Sequence, residues 1–309
     1  MMWPQSDSSM DLSVDLGGLE LANPVIAASG TFGYGVEFSD FLDLDRLGGF
    51  CTKGLALKPR VGKEVPRMVE TPSGMLNAIG LENIGLERFA REKLPLLQGC
   101  RTRVIANFFG DSVDEYAKMA EALSALDRVD ALEMNISCPN VSSGGTYFSS
   151  DPKIVREVVG ATRKAAKKFL IVKLSPHVAD IAEIARVAEG EGANAVSLIN
   201  TLTGMVFDLK TRKPYLGNVT GGLSGPAVKP IALRMVYDTV RAVDIPVIGM
   251  GGIASAEDAL EFLMAGAKAV QVGTANLLDP AVTIKIIEGI KAYCVAHGVE
   301  KLSQLRSSS

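Results

Sequence analysis

Eight short apolar runs, separated by amphipathic stretches, restrict the fold of this chain more than any other feature. Most of the runs are apolar throughout, as expected of parallel strands buried on both faces. They fall near residues 24–29, 49–53, 103–107, 131–135, 169–173, 195–200, 245–251 and 269–273. Helical patterns lie between them at residues 113–126, 152–168, 179–191, 226–243 and 256–265. Eight such units in 309 residues predict an α/β fold, a single (β/α)8 TIM barrel, for which about 250 residues is typical.

A doubly wound open sheet is the alternative architecture. We favour the barrel because there are eight units and because no Gly-x-Gly-x-x-Gly motif opens the first strand–helix turn. An N-terminal hairpin is expected at residues 12–21, turning at Gly17 and Gly18. Long connections at residues 58–81, 139–151 and 202–224 predict cap loops over the C-terminal rim, including a protruding hairpin or loop within 203–222. We expect one domain over residues 1–309, with loose tails at 1–10 and 307–309.

Composition excludes several classes of function. The net charge is −3 and the basic residues are scattered, so no nucleic-acid partner is expected. No run approaches the length of a membrane span, and the N-terminus lacks the layout of a signal peptide. The four cysteines are widely spaced without a Cys-x-x-Cys pair, which predicts no metal site and a reducing, cytoplasmic location. Neither His177 nor His297 has an acidic or nucleophilic partner at a recognisable spacing, so a histidine-based triad is not expected.

Each apolar run ends in a polar residue or a glycine. In a barrel all eight ends meet at one rim, which is where active sites form. Two lysines and three asparagines at such a rim are hard to explain as packing, although they could serve only to satisfy loop backbone groups. The run ends are Ser29, Lys53, Asn107, Asn135, Lys173, Asn200, Gly251 and Gly273.

Glycines after the last two runs predict a phosphate site. The motif Gly-Met-Gly-Gly at residues 249–252 and the motif Val-Gly-Thr at 272–274 each lead towards a helix, and Gly225 offers a further backbone donor. Glycine lets backbone N–H groups approach an anion closely, and the loops after strands seven and eight are the usual phosphate cradle of this fold. Lys173 could place a cation beside a ring system that gains negative charge on reduction, and Asn107 and Asn135 could bind ring edges. This set fits flavin mononucleotide (FMN) better than a sugar phosphate.

Cys138 lies where a reactive thiol would be presented to a ligand. It follows the fourth run, immediately before Pro139, and precedes a glycine-rich segment at residues 142–146. A catalytic nucleophile or base is placed in this way. The alternative is a buried, inert thiol, because free cysteine is among the most buried residue types.

These motifs together resemble those of the dihydroorotate dehydrogenases, in particular the NAD-linked class 1B. The resemblance runs from about residue 12 to about residue 290. It rests on Asn-Ala-Ile-Gly-Leu at 77–81, Asn-Ile-Ser-Cys-Pro-Asn at 135–140, Gly-Gly-Leu-Ser-Gly-Pro at 221–226, Gly-Met-Gly-Gly-Ile at 249–253 and Val-Gly-Thr at 272–274. Class 2 members have serine in place of Cys138. The fumarate-linked class 1A shares the cysteine and remains an alternative; residues 77–81 and Gly144–Gly145 resemble class 1B.

The resemblance implies a role for each matching position. Cys138 would be the catalytic base, and Lys53 would orient the substrate and stabilise anions, while a hydride passes from dihydroorotate to N5 of FMN. The FMN would be bound by Ser29, Lys53, Gly54, Asn107, Asn135, Lys173, Ile199, Gly225, Gly251, Gly252, Gly273 and Thr274. The substrate would be bound by Lys53, Asn77, Ala78, Ile79, Gly80, Leu81, Asn135, Asn140, Asn200 and Thr201.

The resemblance also implies a partner and an oligomer. A separate electron-transfer subunit would carry FAD and a [2Fe–2S] cluster and pass electrons to NAD, in a homodimer or heterotetramer. Three other functions are compatible with the residues: a flavin barrel that reduces uracil-like pyrimidines, a flavin-free lyase or aldolase that uses Lys173 as a Schiff-base amine, and a ligand-binding barrel without activity.

Overall fold

A computed structural model describes residues 10–136, 149 and 151–306. Cys138 and Asn140 lie outside the described residues, as does nearly all of the predicted connection at 139–151. In chain order the strands are β1 (Val14–Asp15), β2 (Glu20–Leu21), β3 (Val25–Ala27), β4 (Gly49–Cys51), β5 (Met68–Thr71), β6 (Gly74–Asn77), β7 (Arg103–Phe108), β8 (Ala131–Asn135), β9 (Phe169–Lys173), β10 (Ala195–Leu198), β11 (Leu202–Gly204), β12 (Phe207–Asp208), β13 (Lys213–Pro214), β14 (Gly221–Ser224), β15 (Val247–Met250) and β16 (Ala269–Val272).

The helices follow the same order. The α-helices are α1 (Gly85–Arg88), α2 (Val113–Ser124), α3 (Pro152–Ala165), α4 (Ile181–Gly190), α5 (Lys229–Val240), α6 (Ala256–Met264), α7 (Ala275–Leu278) and α8 (Val282–Ala296). Short 3-10 turns cover Val36–Phe38, Leu44–Arg46, Leu94–Leu97, Pro226–Val228 and Leu302–Leu305, and a π-helical turn covers Phe89–Lys93. None of the helices in the described ranges is long and apolar enough to cross a membrane.

Eight parallel strands close into a barrel, which confirms the predicted fold and excludes the open sheet. The strand order around the barrel is β3, β4, β7, β8, β9, β10, β15 and β16, and β16 pairs with β3 through Val270 opposite Val25. The observed strands match the predicted runs but several end one or two residues earlier. Lys53, Asn200 and Gly251 therefore lie beyond the last strand residue, in the loops of the carboxyl rim.

The amino-terminal end of the barrel interior is apolar. Each barrel strand contributes one buried residue to a single cluster: Ile26, Cys51, Ile105, Ala131, Ile171, Ala195, Ile248 and Ala269. Leu16, Leu19 and Leu21 of the predicted N-terminal hairpin, β1 and β2, pack against that cluster. The hairpin therefore closes this end of the barrel with side chains, and the opposite end is left for the site.

The outer helices bury one face each against the barrel wall. In α3 the buried residues Val155, Val158, Val159 and Thr162 recur at the spacing of one helical face. Asp151 caps the start of the helix, and its carboxylate accepts a hydrogen bond of 2.8 Å from the Lys153 N–H. This pattern is what the sequence analysis identified between the runs.

A small antiparallel sheet forms a cap over the carboxyl rim. Its strand order is β11, β14, β6 and β5, so that it joins the long connections after the second and sixth barrel strands. The hairpin of β12 and β13 projects from the second of these connections. The predicted cap and protruding hairpin are confirmed, whereas the pairing of β6 with β14 was not predicted from the sequence.

Candidate active site

A layer of polar side chains lies directly above the apolar layer inside the barrel. Because side chains alternate between the two faces of a strand, the residue two positions beyond each apolar-layer residue also faces the interior. Six of these eight positions are polar and only two, Ala28 and Met250, are apolar. The polar layer consists of Asn107, Glu133, Lys173, Ser197 and Gln271 within the barrel strands, with Lys53 two residues beyond the end of β4.

Glu133 is the centre of the polar layer. Its carboxylate is fully buried and accepts hydrogen bonds from Asn107 Nδ2 at 2.7 Å, Ser197 Oγ at 2.9 Å and Gln271 Nε2 at 2.5 Å. The Nζ atom of Lys173 lies 3.9 Å from Glu133 Oε1, and both side chains are almost completely shielded from water. Gln271 belongs to β16, which is four strands from β8 in either direction around the barrel, so its hydrogen bond crosses the interior. A buried carboxylate requires such partners.

Asn107 offers an unused acceptor at this site. Its Nδ2 donates to Glu133, while its Oδ1 is buried and has no hydrogen-bond partner within the described part of the chain. A Cβ on Gly54 would lie 3.0 Å from that Oδ1, so glycine at position 54 keeps the space beside it open. The orphaned oxygen can therefore accept a hydrogen bond from a ligand N–H.

Asn135 and Lys53 complete the polar side of the site. Asn135 ends β8 directly opposite Lys173 of β9, and its carbonyl accepts a hydrogen bond of 2.8 Å from the buried Tyr116 hydroxyl. Lys53 is partly buried, and its N–H donates to the Gly33 carbonyl at 2.6 Å. The predicted residues Lys53, Asn107, Asn135 and Lys173 are thus brought together by four neighbouring strands of the barrel.

The glycines predicted to hold a phosphate also come together. A Cβ on Gly252 would lie 2.9 Å from the Gly225 carbonyl, and Thr274 Oγ1 donates to Ser224 Oγ at 2.7 Å. Gly225 (φ 96°) and Gly252 (φ 75°) have backbone conformations that favour glycine. The other predicted positions lie around these glycines. Gly251 lies beside Ile199, and Gly273 lies beside Ala28, the residue before Ser29.

Most of the other predicted substrate residues lie in the cap or in the loop that leads into it. The side chain of Asn77 donates to the Gly222 carbonyl at 3.3 Å, and a Cβ on Gly222 would collide with Thr201. Asn200 Oδ1 accepts a hydrogen bond of 2.8 Å from the Thr201 N–H. The turn that follows Asn77 passes through the buried Ala78, through Ile79 and through Gly80 and Leu81, whose φ angles are 77° and 61°. A positive φ at a leucine is strained and is typical of functional loops.

Two of the other cysteines are fully buried. Burial raises the pKa of the Cys51 thiol well above its ordinary value, and the nearby Glu133 carboxylate raises it further. Burial also raises the pKa of Cys294. Neither of these buried thiols can act as a base at the rim. Cys138, the predicted base, lies outside the described residues.

Sequence reasoning missed Glu133, Ser197 and Gln271. Glu133 carried a usable signal, because a charged residue in the middle of the buried run 131–135 must be paired. Gln271 carried the same signal more weakly in the run 269–273. Ser197 gave none, since a small residue fits any tightly packed strand.

Comparison with known proteins supports the assignment drawn from the motifs. The family model described as dihydroorotate dehydrogenase matches residues 11–294, which is most of the chain. The chain belongs to the dihydroorotate dehydrogenase family. The family resemblance predicted from the sequence is therefore confirmed.

Relatives within this family carry a more specific name. A protein of Trichlorobacter lovleyi is 58% identical over 294 residues, covering 95% of this chain and 97% of the relative. One of Bacteroides fragilis is 55% identical over 295 residues, covering 96% of this chain and 97% of the relative. Both are named dihydroorotate dehydrogenase B (NAD(+)), catalytic subunit.

A solved structure supports the fold independently. The crystal structure of DHODH from Eimeria tenella, in complex with ferulenol, matches 99% of this chain and 90% of its own with a TM-score of 0.79. The sequence identity is only 19%, so this likeness bears on the fold alone.

Proposed function

We propose that this chain oxidises dihydroorotate to orotate as the catalytic subunit of an NAD-linked dihydroorotate dehydrogenase, with FMN as its bound cofactor. One observation carries the proposal: a buried lysine and an asparagine with an orphaned acceptor lie inside a barrel whose last two strands, β15 and β16, lead into a cradle of glycines. The names of relatives that are 53–58% identical point to the same reaction.

The residues of the site fit FMN. The cradle of Gly225, Gly251, Gly252 and Gly273 would hold the phosphate through backbone N–H groups. Asn107 Oδ1 would accept a hydrogen bond from the flavin ring, because no donor within the described residues bonds to this oxygen. Lys173 would lie beside the part of the ring that becomes negative on reduction.

The chemistry divides between the cofactor and the chain. A bound flavin supplies an acceptor for the hydride that leaves one ring carbon of dihydroorotate. Cys138 would take the proton from the neighbouring carbon as a general base. Lys53 would orient the substrate carboxylate, and Asn77, Asn135, Asn140 and Asn200 would bind the amide and imide edges of the pyrimidine.

The proposal includes a partner. The relatives are named as catalytic subunits, which implies a second subunit that transfers electrons. We propose that the partner of this chain carries FAD and a [2Fe–2S] cluster. Two copies of this chain would form a homodimer, which would bind two partner chains to give a heterotetramer. We propose that the complex is located in the cytoplasm.

A substrate panel tests this function. The purified chain, loaded with FMN, is assayed with an artificial electron-accepting dye and either dihydroorotate or dihydrouracil. Dihydroorotate should reduce the dye. Dihydrouracil should give little turnover, because it lacks the carboxylate that Lys53 would bind. Dihydroorotate should also give little turnover when NAD replaces the dye as the only electron acceptor. Faster turnover of dihydrouracil would assign the chain to another pyrimidine.

The same assay tests the base. Cys138→Ser should lower turnover with dihydroorotate by about 10²–10⁴-fold, the usual contribution of a general base. FMN content should be unchanged, because Cys138 is assigned to the substrate and not to the flavin. Near-normal turnover in this variant at neutral pH would remove Cys138 from the role.

A further inference from the structure

Glu133 has no part in the proposed chemistry, yet it is the charged side chain around which the site is built. It is fully buried in the polar layer inside the barrel. A carboxylate in such a place is costly unless it is paired and hydrogen-bonded. Its polar neighbours include Asn107, Ser197, Gln271 and Lys173, and the Cys51 thiol also interacts with it.

The carboxylate determines how the neighbouring amides point. An ionised carboxylate is an acceptor only, so Asn107 and Gln271 must present their NH2 groups to it. Each amide then directs its oxygen elsewhere, and both oxygens are buried without a partner in the described residues. Glu133 thereby fixes Asn107 Oδ1 as an acceptor towards the ligand.

The carboxylate also faces the lysine assigned to the flavin. Glu133 Oε1 and Lys173 Nζ are 3.9 Å apart in an interior where charges are weakly screened. The hydrogen bonds from Asn107, Ser197 and Gln271 hold the carboxylate in place, so it restricts where the ammonium group can lie. The negative charge of the Glu133 carboxylate also offsets part of the positive charge of Lys173.

We propose that Glu133 is a positioning residue for the flavin: it orients Asn107 and Lys173, and through Lys173 it sets the reduction potential of the bound FMN. The inference rests on the proposed function, since it requires FMN at this site. Reduction adds negative charge to the flavin. Removing the Glu133 charge leaves Lys173 uncompensated, favours the reduced form and makes the potential more positive.

Glu133→Gln is the direct test, because it keeps the shape of the side chain and removes its charge. Glutamine places an NH2 donor where one carboxylate oxygen accepted a hydrogen bond. Two donors cannot bond to each other, so the amide of Asn107 or Gln271 must flip. We expect the dissociation constant of oxidised FMN to rise about tenfold. We expect the midpoint potential, titrated with dithionite, to rise by at least about 30 mV, which is a tenfold change in equilibrium for a two-electron couple.

Lys173→Met and the double variant complete the cycle. Lys173→Met alone should make the potential more negative. In that background, Glu133→Gln should change the potential by less than half as much as in the wild-type chain, because its effect passes through the lysine. The double variant removes both buried charges together and leaves neither unpaired. If Glu133→Gln does not fold, the double variant is compared with Lys173→Met alone, and a rise in potential of about 30 mV or more between them would overturn the inference.

The control is Met250→Leu, a volume-conserving change in the same interior layer that leaves both charges in place. It should keep the wild-type potential. An unchanged potential in Glu133→Gln, or an equal shift with and without Lys173, would overturn the inference while the proposed function stands. Failure of the wild-type chain to bind FMN would overturn both.

Discussion

At the scale of single residues, burial lowers the reactivity of the three cysteines that the structure describes. Cys51 and Cys294 are fully buried with raised thiol pKa values, and Cys100 is partly exposed with a pKa raised by burial and by Asp45. A thiol reacts as its thiolate. Cys138, if it is the base at the rim, is then the thiol that a small alkylating agent should reach first.

We therefore expect iodoacetamide to modify Cys138 before the other cysteines at neutral pH, and orotate to slow the modification at least about tenfold by covering the site. Mass spectrometry of tryptic peptides measures this directly. A Cys100→Ser chain serves as the control, since Cys100 is the one cysteine in the described part of the chain that is not fully buried. Modification of Cys51 first, or no protection by orotate, would contradict the assignment.

The sequence allowed part of the site to be predicted residue by residue. Lys53, Asn107 and Lys173 were predicted from the sequence because a polar residue at the end of a buried run has few structural reasons to be there, and their binding roles stay predictions. Glu133 was not found as the centre of the site because its partners Ser197 and Gln271 are far away in sequence and meet it only across the barrel.

At the scale of structural elements, the turn after β15 combines strain with close packing. Gly252 has φ 75°, and a Cβ there would lie 2.8 Å from the Lys229 Cβ and backbone nitrogen. Gly252→Ala should therefore weaken FMN binding at least about tenfold and destabilise the chain by about 1–3 kcal/mol. Ultrafiltration of FMN and thermal unfolding measure the two effects.

Gly298→Ala is the matched control for that turn. Gly298 has a similar φ of 64°, but nothing lies within 4 Å of a Cβ placed on it. This variant should lose a comparable amount of stability through backbone strain and keep full affinity for FMN. Equal FMN affinity in the two variants would place the phosphate elsewhere.

The start of α6 carries a pH-dependent interaction. Partial burial works to raise the pKa of Asp258, but the hydrogen bonds from Lys229 Nζ and the Ala254 N–H outweigh it and hold that pKa below its ordinary value of 3.8. A carboxyl group with a lowered folded-state pKa stabilises the fold above its unfolded pKa, and this stabilisation is lost as the pH falls through the folded value.

Asp258→Asn should therefore lower Tm by roughly 2–4 °C at pH 7, which corresponds to about 1 kcal/mol. The difference from the wild-type chain should stay constant down to about pH 5 and shrink as the pH falls below 3.8 and through the lower pKa that Asp258 has in the folded chain. Thermal unfolding followed by circular dichroism from pH 7 to pH 3 tests this. A difference that does not depend on pH would mean that the charge of Asp258 contributes nothing.

Prediction at this scale was good for the repeating elements and poor for the cap. Strands and helices such as α3 follow from the period of their apolar residues. The pairing of Leu76 in β6 with Leu223 in β14 joins segments nearly half the chain apart, and no local pattern specifies such a contact. The structure was needed to find the sheet that carries Asn77.

At the scale of the whole molecule, the barrel separates stability from chemistry along its axis. The apolar layer and the hairpin leucines fill the amino end, while the polar layer around Glu133 begins one layer higher. The sequence predicted the closed barrel because strands covered on both faces must be apolar throughout, and eight of them are present. It could not predict which polar residues share one interior layer, since that depends on the relative register of all eight strands.

The measurement that tests the account most directly is an anaerobic absorbance titration of the FMN-loaded chain with dihydroorotate. The visible flavin band should bleach with about one equivalent of dihydroorotate, and added NAD alone should not restore it because the partner subunit is missing. A band that stays unchanged would contradict the proposed substrate. A chain that remains colourless after reconstitution with FMN would contradict the flavin site itself.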